Sequence, residues 1–238
     1  MKIVFLTGAG LSAESGLPTF RGAGGLWNGH NATELATPEA FAANPDLVHE
    51  FYNFRRRQLL APEIKPNAAH DAIAQLQNNL PSGIVNIVTQ NVDNLHERAG
   101  ANNVLHMHGE LLKARCLDTG DVFEWTSDLN TQTPHPKQVN RAGRLRPHIV
   151  WFGESIAALP EAISMVKSAS WLITVGSSGV VWPAAGLAEY STKNCRRSLI
   201  NLEPAANQGL FEDCRTGAAS QLVPEICREI LAEWERQQ

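Results

Sequence analysis

The sequence predicts an α/β protein, a doubly wound parallel sheet with a smaller inserted module. Apolar strand-like runs alternate with amphipathic helical runs, without internal repeats or low-complexity tracts, which is the pattern of parallel strands joined by helical crossovers. Most of the apolar runs end in polar residues or glycine (TGAG, TQNVD, TVGSS, NLEP). In open parallel sheets the ligand crevice lies outside those carboxyl ends, so the tails are the site candidates. The 238 residues, 43% hydrophobic and 18% charged, suffice for one large domain carrying an insertion.

The first strand, IVFLT at 3–7, runs into glycines at 8, 10 and 16. A buried strand entering a glycine-rich turn suits close approach of backbone to a phosphate. The dinucleotide fingerprint G-x-G-x-x-G would place its third glycine at 13 rather than 16. From the loop alone, a nucleotide cradle and a plain strand-to-helix turn both fit. Helical stretches follow near 38–60 and 67–79, then the strands IVNIVTQN (84–91), VLHMHG (104–109), HIVWFG (148–153), WLITVG (171–176) and SLINLE (198–203). Residues 18–65 and 112–146 break this rhythm and read as insertions into a core of about 1–17, 66–111 and 147–238.

Charge and cysteines exclude several classes. A net charge of -4 gives no global footprint for nucleic acid or an anionic membrane. No apolar stretch nears the roughly 20 residues of a transmembrane helix, and a strand at residue 2 leaves no room for a secretory signal, which predicts the cytoplasm. The cysteines at 116, 195, 214 and 227 have no CxxC spacing and read as free thiols. A serine hydrolase is set aside because Gly10-Leu11-Ser12-Ala13-Glu14 lacks the final glycine of the nucleophile elbow.

Six stretches in order, GAGLSAESGLPTFRG (8–22), TQNVDNLHERAG (89–100), LHMHGEL (105–111), RPHIVWFGE (146–154), VGSSGVVWPAAGL (175–187) and INLEP (200–204), resemble the successive signatures of the sirtuins. The resemblance is closest to bacterial class III members. It implies a Rossmann-like fold, NAD as cofactor, and NAD-dependent deacylation of protein lysines, with the late glycine explained by a modified loop. Acylated lysine side chains of proteins are the implied partners, with no nucleic acid and no membrane, and the oligomeric state is left open, a monomer being compatible with the sequence. An NAD glycohydrolase or ADP-ribosyltransferase on the same scaffold, or a non-enzymatic NAD-sensing module, is the alternative.

The resemblance also assigns residues. His108 is the general base, an imidazole suited to deprotonating a ribose hydroxyl near neutral pH. Asn91 is the second catalytic residue and, with Gln90, faces the ribose hydroxyls; Asp93 faces the nicotinamide carboxamide. Gly8, Ala9, Gly10, Ser12, Phe20, Arg21, Gly176, Ser177 and Ser178 are the matched phosphate and ribose contacts. Asn201, Glu203 and Ala219 fall on the adenosine side. Val150, Phe152, Gly153 and Glu154 line the cleft where a substrate peptide adds as a strand.

Tyr52 and Arg55 in FYNFRRRQLL are three apart and share a face on a helix. A phenol and a guanidinium together can bind one carboxylate. By resemblance this pair recognises succinyl-, malonyl- or glutaryl-lysine, while Ala13 leaves room. Where sirtuins hold a structural zinc between two CxxC pairs, the segment here contains Cys116 alone. Structural zinc is therefore not expected, and His135, Asp118 and Asp121 match no tetrahedral spacing. Val122, Phe123 and Trp125 are expected to form a short strand and an apolar plug against the main sheet.

Overall fold

The computed structural model describes residues 1–19, 26–27 and 30–238, so Phe20 and Arg21 lie outside the described residues. The chain begins β1 (Ile3–Thr7), α1 (Ala9–Ala13), β2 (Leu26–Trp27), β3 (His30–Asn31), α2 (Ala32–Leu35), α3 (Pro38–Ala43), α4 (Pro45–Leu60), α5 (Ala68–Asn79), β4 (Val85–Thr89), α6 (Leu95–Arg98) and β5 (Val104–His106). It continues with β6 (Gly109–Cys116), β7 (Val122–Glu124), β8 (Pro134–His135), β9 (Gln138–Ala142), β10 (Leu145–Ile149), α7 (Leu159–Ser168), β11 (Trp171–Val175), β12 (Arg196–Asn201), β13 (Asp213–Thr216) and α8 (Ala219–Arg236). A 3-10 segment spans Ala184–Tyr190.

Six strands pair in parallel in the order β13-β12-β11-β1-β4-β5. Counted among themselves they run 6-5-4-1-2-3, the doubly wound dinucleotide-binding order, with its reversal between β1 and β11. All five residues of β1 are buried. Ile3 and Phe5 face Ile73 of α5 and Val223, Ile226 and Ile230 of α8, whereas Val4 and Leu6 face Ala162 and Val166 of α7 with Leu187 of the 3-10 segment. Burial on both faces is why these strands read as continuous apolar runs. No helix among the described residues is long and apolar enough to cross a membrane.

The second sheet corrects one expectation. HIVWFG is not a strand of the parallel sheet: its start belongs to β10, which pairs antiparallel with β6 in a three-stranded sheet of order β10-β6-β7. Pro147 explains the placement, because it has no N–H to donate and sits on an edge strand where the register shifts between Pro147 and His148. The short strand in VFEW forms as β7, but its plug faces the module rather than the main sheet. Phe123 and Trp125 pack on a cluster of Ala114, Cys116, Leu129 and Leu145.

Helix α4 packs on the second sheet. Asn44 caps it by accepting from the Leu47 N–H, Pro45 opens it with φ already set, and the chain leaves it before Pro62. Its apolar face, with Val48, Phe51, Tyr52 and Leu59, packs against Leu111, Ile149 and Trp151 of the second sheet and its tail.

Candidate active site

The crevice opens at the carboxyl ends of β1, β4 and β11, where the strand order reverses. There the loops after β1 and β11 meet backbone to backbone. The Gly8 N–H donates to Val175 O and the Gly10 N–H to Gly176 O, both at 2.9 Å. A Cβ on Gly10 would lie 2.7 Å from Gly176 Cα, and one on Gly176, whose φ is +67°, 2.3 Å from Leu11 N. Only glycine fits either position.

Behind the glycines lies a buried polar network centred on Ser12. The Asn67 N–H at the α5 cap donates to His70 Nδ1 at 3.3 Å, so the neutral ring carries its proton on Nε2 and donates to Ser12 Oγ at 3.4 Å. Asn91 Nδ2 donates to the same oxygen at 3.1 Å, and the Ser12 hydroxyl donates to Asp93 Oδ2 at 3.0 Å. Both acceptor positions and the one proton of Ser12 are thereby used. Asp93 Oδ1 accepts the Leu95 N–H at 3.1 Å, while burial pushes the Asp93 carboxyl pKa up. Burial lowers His70 to about 4, which keeps the ring neutral through the physiological range. His70 was not singled out by sequence reasoning. The signal was present as N-x-x-H at a helix start, a capping box with histidine in the place of Glu or Gln.

Two histidines on neighbouring positions receive opposite treatment. His108 Nδ1 donates to Gln90 O at 2.9 Å, which leaves Nε2 as the unprotonated nitrogen. Burial lowers its pKa against the pull of that carbonyl. His106 is also penalised by burial, but its net pKa is raised, through its hydrogen bond to Glu97 and the charges of Glu97 and Glu110. Its Nε2 lies 2.8 Å from Glu97 Oε1 and its Nδ1 3.2 Å from Asn91 O. With an acceptor beside each nitrogen, the charged form of His106 is favoured relative to a free imidazole.

The remaining cofactor-side residues gather along the same strand ends. Gln90 Nε2 donates to Ser177 Oγ at 3.2 Å, and Asn201 Nδ2 to Ser177 O at 2.7 Å. Ser178 and Glu203 are exposed, and Ala219 is buried in the first turn of α8. That turn has no cap of its own residue; the Glu14 carboxylate accepts from the Ser220 N–H and hydroxyl instead.

On the other side, a pocket brings Arg55, Gln58 and Leu59 of α4 together with Ala9, Ser12, Asn91, Asp93 and Leu111. Tyr52 is buried behind this wall. Its hydroxyl accepts from Trp151 Nε1 at 2.9 Å, and burial pushes its pKa well above the ordinary phenol value. Burial lowers Arg55, with the fields of Tyr52 and Asp93 acting against it. Ala13 is half-buried at the end of α1 and is not part of this pocket wall. Val150 donates its N–H to His108 O and Phe152 to Ala36 O, each at 2.9 Å, with Gly153 at φ +88° turning the chain. The Glu154 carboxylate points inward, taking Arg146 Nη1 at 2.6 Å, Arg146 Nη2 at 3.0 Å and the Trp151 N–H at 2.8 Å. Phe152 is exposed beside it.

The residues fit NAD: Ser12, Asn91 and Asp93 line a pocket beside the closely packed glycines 8, 10 and 176, at the point where the strand order reverses. The module does not fit a structural zinc. Cys116 packs among Ala114, Leu129 and Leu145 with its thiol met by Thr119 and the backbone of 118–119, Asp118 is paired with Arg144, and His135 Nδ1 accepts from the Lys137 N–H while its ring packs on Phe123. Among the described residues no group of three or more His, Cys, Asp or Glu is placed to hold a metal.

Residues 8–183 match the model of the Sir2 family. The chain is 49% identical over 238 residues to the NAD-dependent protein deacylase of Rhodopirellula baltica, covering 98% of this chain and 100% of that protein. It is 50% identical over 233 residues to the NAD-dependent protein deacylase of Vibrio parahaemolyticus, covering 97% and 95%. Among solved structures, a Sir2 homologue bound to NAD superposes with a TM-score of 0.87 at 38% identity, over 98% of this chain and 90% of the other. A Sir2 complex with a p53 peptide and NAD gives 0.78 at 28% identity, over 98% and 93%. With the strand order, the crevice and the six ordered motifs all in place, the chain belongs to the Sir2 family.

Proposed function

We propose that this chain removes acyl groups from protein lysines with NAD, and that its pocket accepts acyl chains ending in a carboxylate, succinyl, malonyl or glutaryl, as well as acetyl. The observation that carries the acyl assignment is the common pocket of Arg55, Asn91 and Asp93, a guanidinium on one wall and two of the assigned site residues on the other, with His108 outside this lining. Arg55 is half-buried on α4, and a guanidinium offers parallel N–H donors that match a carboxylate in charge-assisted hydrogen bonds. Tyr52, fixed by Trp151, stiffens the base of this wall.

Gln90, Ser177 and Asn201 are the side chains that face NAD, the side-chain-free glycines at 8, 10 and 176 let it approach the loops, and Ser12 holds Asn91 and Asp93 in place for it. When bound, NAD supplies an electrophilic ribose carbon with nicotinamide as its leaving group. His108 accepts a proton at Nε2, since its Nδ1 proton is fixed on Gln90 O and its lowered pKa keeps it basic-form at neutral pH. Asn91 is held by its donation to Ser12, which leaves Oδ1 to accept from a ribose hydroxyl or an ordered water. Asp93 offers a carboxylate to the carboxamide of nicotinamide. Val150 to Gly153 form the peptide-side edge. We place the enzyme in the cytoplasm, where its four free cysteines stay reduced.

The test is a panel of acetyl-, malonyl-, succinyl- and glutaryl-lysine peptides with NAD, read as nicotinamide release and as peptide mass. Turnover of acetyl-lysine with none of the acidic acyl groups would overturn the acyl assignment. Release of nicotinamide without peptide deacylation would favour a glycohydrolase.

A further inference from the structure

The buried face of α4 carries more polar chemistry than the acyl pocket requires. Asn53 is 7% exposed and Arg56 1% exposed, although neither lines the pocket. Asn53 makes a two-sided clamp on the backbone of one module residue: its Nδ2 donates to Leu129 O at 2.7 Å, and its Oδ1 accepts the Leu129 N–H at 2.8 Å. The Leu129 side chain meanwhile fills the apolar centre of the module with Ala114, Cys116 and Leu145. One residue thus ties helix to module core.

Arg56 extends the clamp toward the pocket. Its Nη1 donates to Asn53 Oδ1 at 2.8 Å and its Nε to Leu111 O at 3.1 Å. Leu111 lines the pocket, and its own N–H donates to Val92 O at 2.8 Å, between Asn91 and Asp93. A continuous chain of contacts therefore runs from α4 through Leu111 to the loop that carries the reaction groups. The outer side of the helix is fastened to the same module segment, with Thr131 Oγ1 donating to Asp46 Oδ1 at 2.9 Å and Arg57 paired to Asp128. Contacts at residues 46, 53 and 57 fix the helix along its length, leaving little freedom to rotate.

We propose that Asn53 and Arg56 are positioning residues for acyl selection, holding α4 against Leu129 and Leu111 so that Arg55 keeps a fixed separation from Asn91 and Asp93. The proposal rests on the reading of Arg55 as the carboxylate-binding residue. An acetyl group does not reach for the guanidinium, so displacement of the helix is felt by acidic acyl chains first. A misplacement on the order of 1 Å costs up to about a hundredfold in a positioned site.

The experiment compares kcat and KM on acetyl- and succinyl-lysine peptides for Asn53→Ala, Arg56→Lys and Arg55→Met, at temperatures well below each variant's melting point. Asn53→Ala is expected to raise KM for succinyl-lysine about tenfold or more, with acetyl-lysine kcat/KM changed less than about threefold. Arg56→Lys, which can reach Leu111 O or Asn53 Oδ1 but has no planar fork to hold both, is expected to give a smaller shift in the same direction. If Arg55→Met changes the succinyl-to-acetyl ratio while Asn53→Ala and Arg56→Lys leave it unchanged, or lower both substrates equally, the positioning role is wrong and the pair is merely structural. If Arg55→Met itself leaves the ratio unchanged, the reading of Arg55 fails and the positioning role with it. Should Asn53→Ala not fold, Arg56→Lys alone decides by the same criterion.

Discussion

The two walls of the pocket are made of different materials. The wall at the strand ends is backbone and short polar side chains: Gly10 and Gly176 in direct contact, and Ser12 saturated by His70, Asn91 and Asp93. The α4 wall is long side chains on an apolar bed: Arg55 beside Leu59 and Leu111, with Tyr52 held by Trp151 behind it. A wall built of backbone admits almost no substitution, since any added atom meets a main chain that cannot give. A wall built of side chains can change its chemistry while the helix remains, so it is suited to setting which acyl group enters.

The largest effect belongs to the strand-end wall. His108→Ala is expected to lower kcat by roughly two to four decades, the usual share of a general base, while NAD still binds in a calorimetric titration. The pH profile sharpens this. Because burial lowers the His108 pKa, the neutral base persists below the ordinary histidine value, and kcat/KM should hold as pH falls to 6.5 before declining. A decline already centred above 6.5 would shift the role to His106, whose pKa is raised. Next is Gly176→Ala. The positive φ and the 2.3 Å approach to Leu11 N imply strain of about 1–3 kcal/mol, hence weaker NAD binding by about one to two decades. Unchanged affinity would show that the two loops can part without cost.

These two walls were also unequally legible in the sequence. The strand-end wall announces itself: a polar or glycine tail after an apolar run is a local pattern, and β1, β4, β11 and β12 all carry one. The parallel sheet followed from the same runs. HIVWFG misled because a short apolar run has no mark for parallel or antiparallel pairing; Pro147 was the only clue that it lies on an edge. His70 and Ser12 are 58 residues apart, and nothing in either segment alone states that the α5 cap feeds the first loop. Nor could Tyr52 and Trp151, 99 residues apart, be paired by spacing. Glu154 stands inside a matched motif, yet its carboxylate is engaged with Arg146 and the Trp151 N–H. Long-range partners require the fold.

The α4 wall should show a smaller and more selective effect. Arg55→Met removes a charge-assisted pair worth about 1.5–3 kcal/mol to a bound carboxylate, so KM for succinyl-lysine should rise by one to two decades and acetyl-lysine should be spared. Equal losses on both substrates would mean that Arg55 supports the fold and that the comparison between the walls has no functional content.

The smallest expected effect is none, and it concerns what holds the module to which α4 is fastened. A structural zinc needs four donors and supplies folding free energy directly. Here Cys116 packs with Ala114, Leu129 and Leu145, while Phe123 and Trp125 cover the cluster. Arg144 closes the outer turn on Asp118, and Asn53 ties Leu129 to the helix. These contacts are side-chain packing and hydrogen bonds, the same materials as the α4 wall. A chelator should therefore move the melting temperature by less than about 1 °C, and purified protein should carry well under one zinc per chain, by elemental analysis. Cys116→Ala should cost about 1 kcal/mol, the scale of trimming a buried apolar group. Stoichiometric zinc, with a chelator-induced loss of stability, would contradict this and would make Cys116 a ligand. The module and the α4 wall would then be anchored by a metal rather than by packing, and the contrast between the two walls would have to be redrawn around that site.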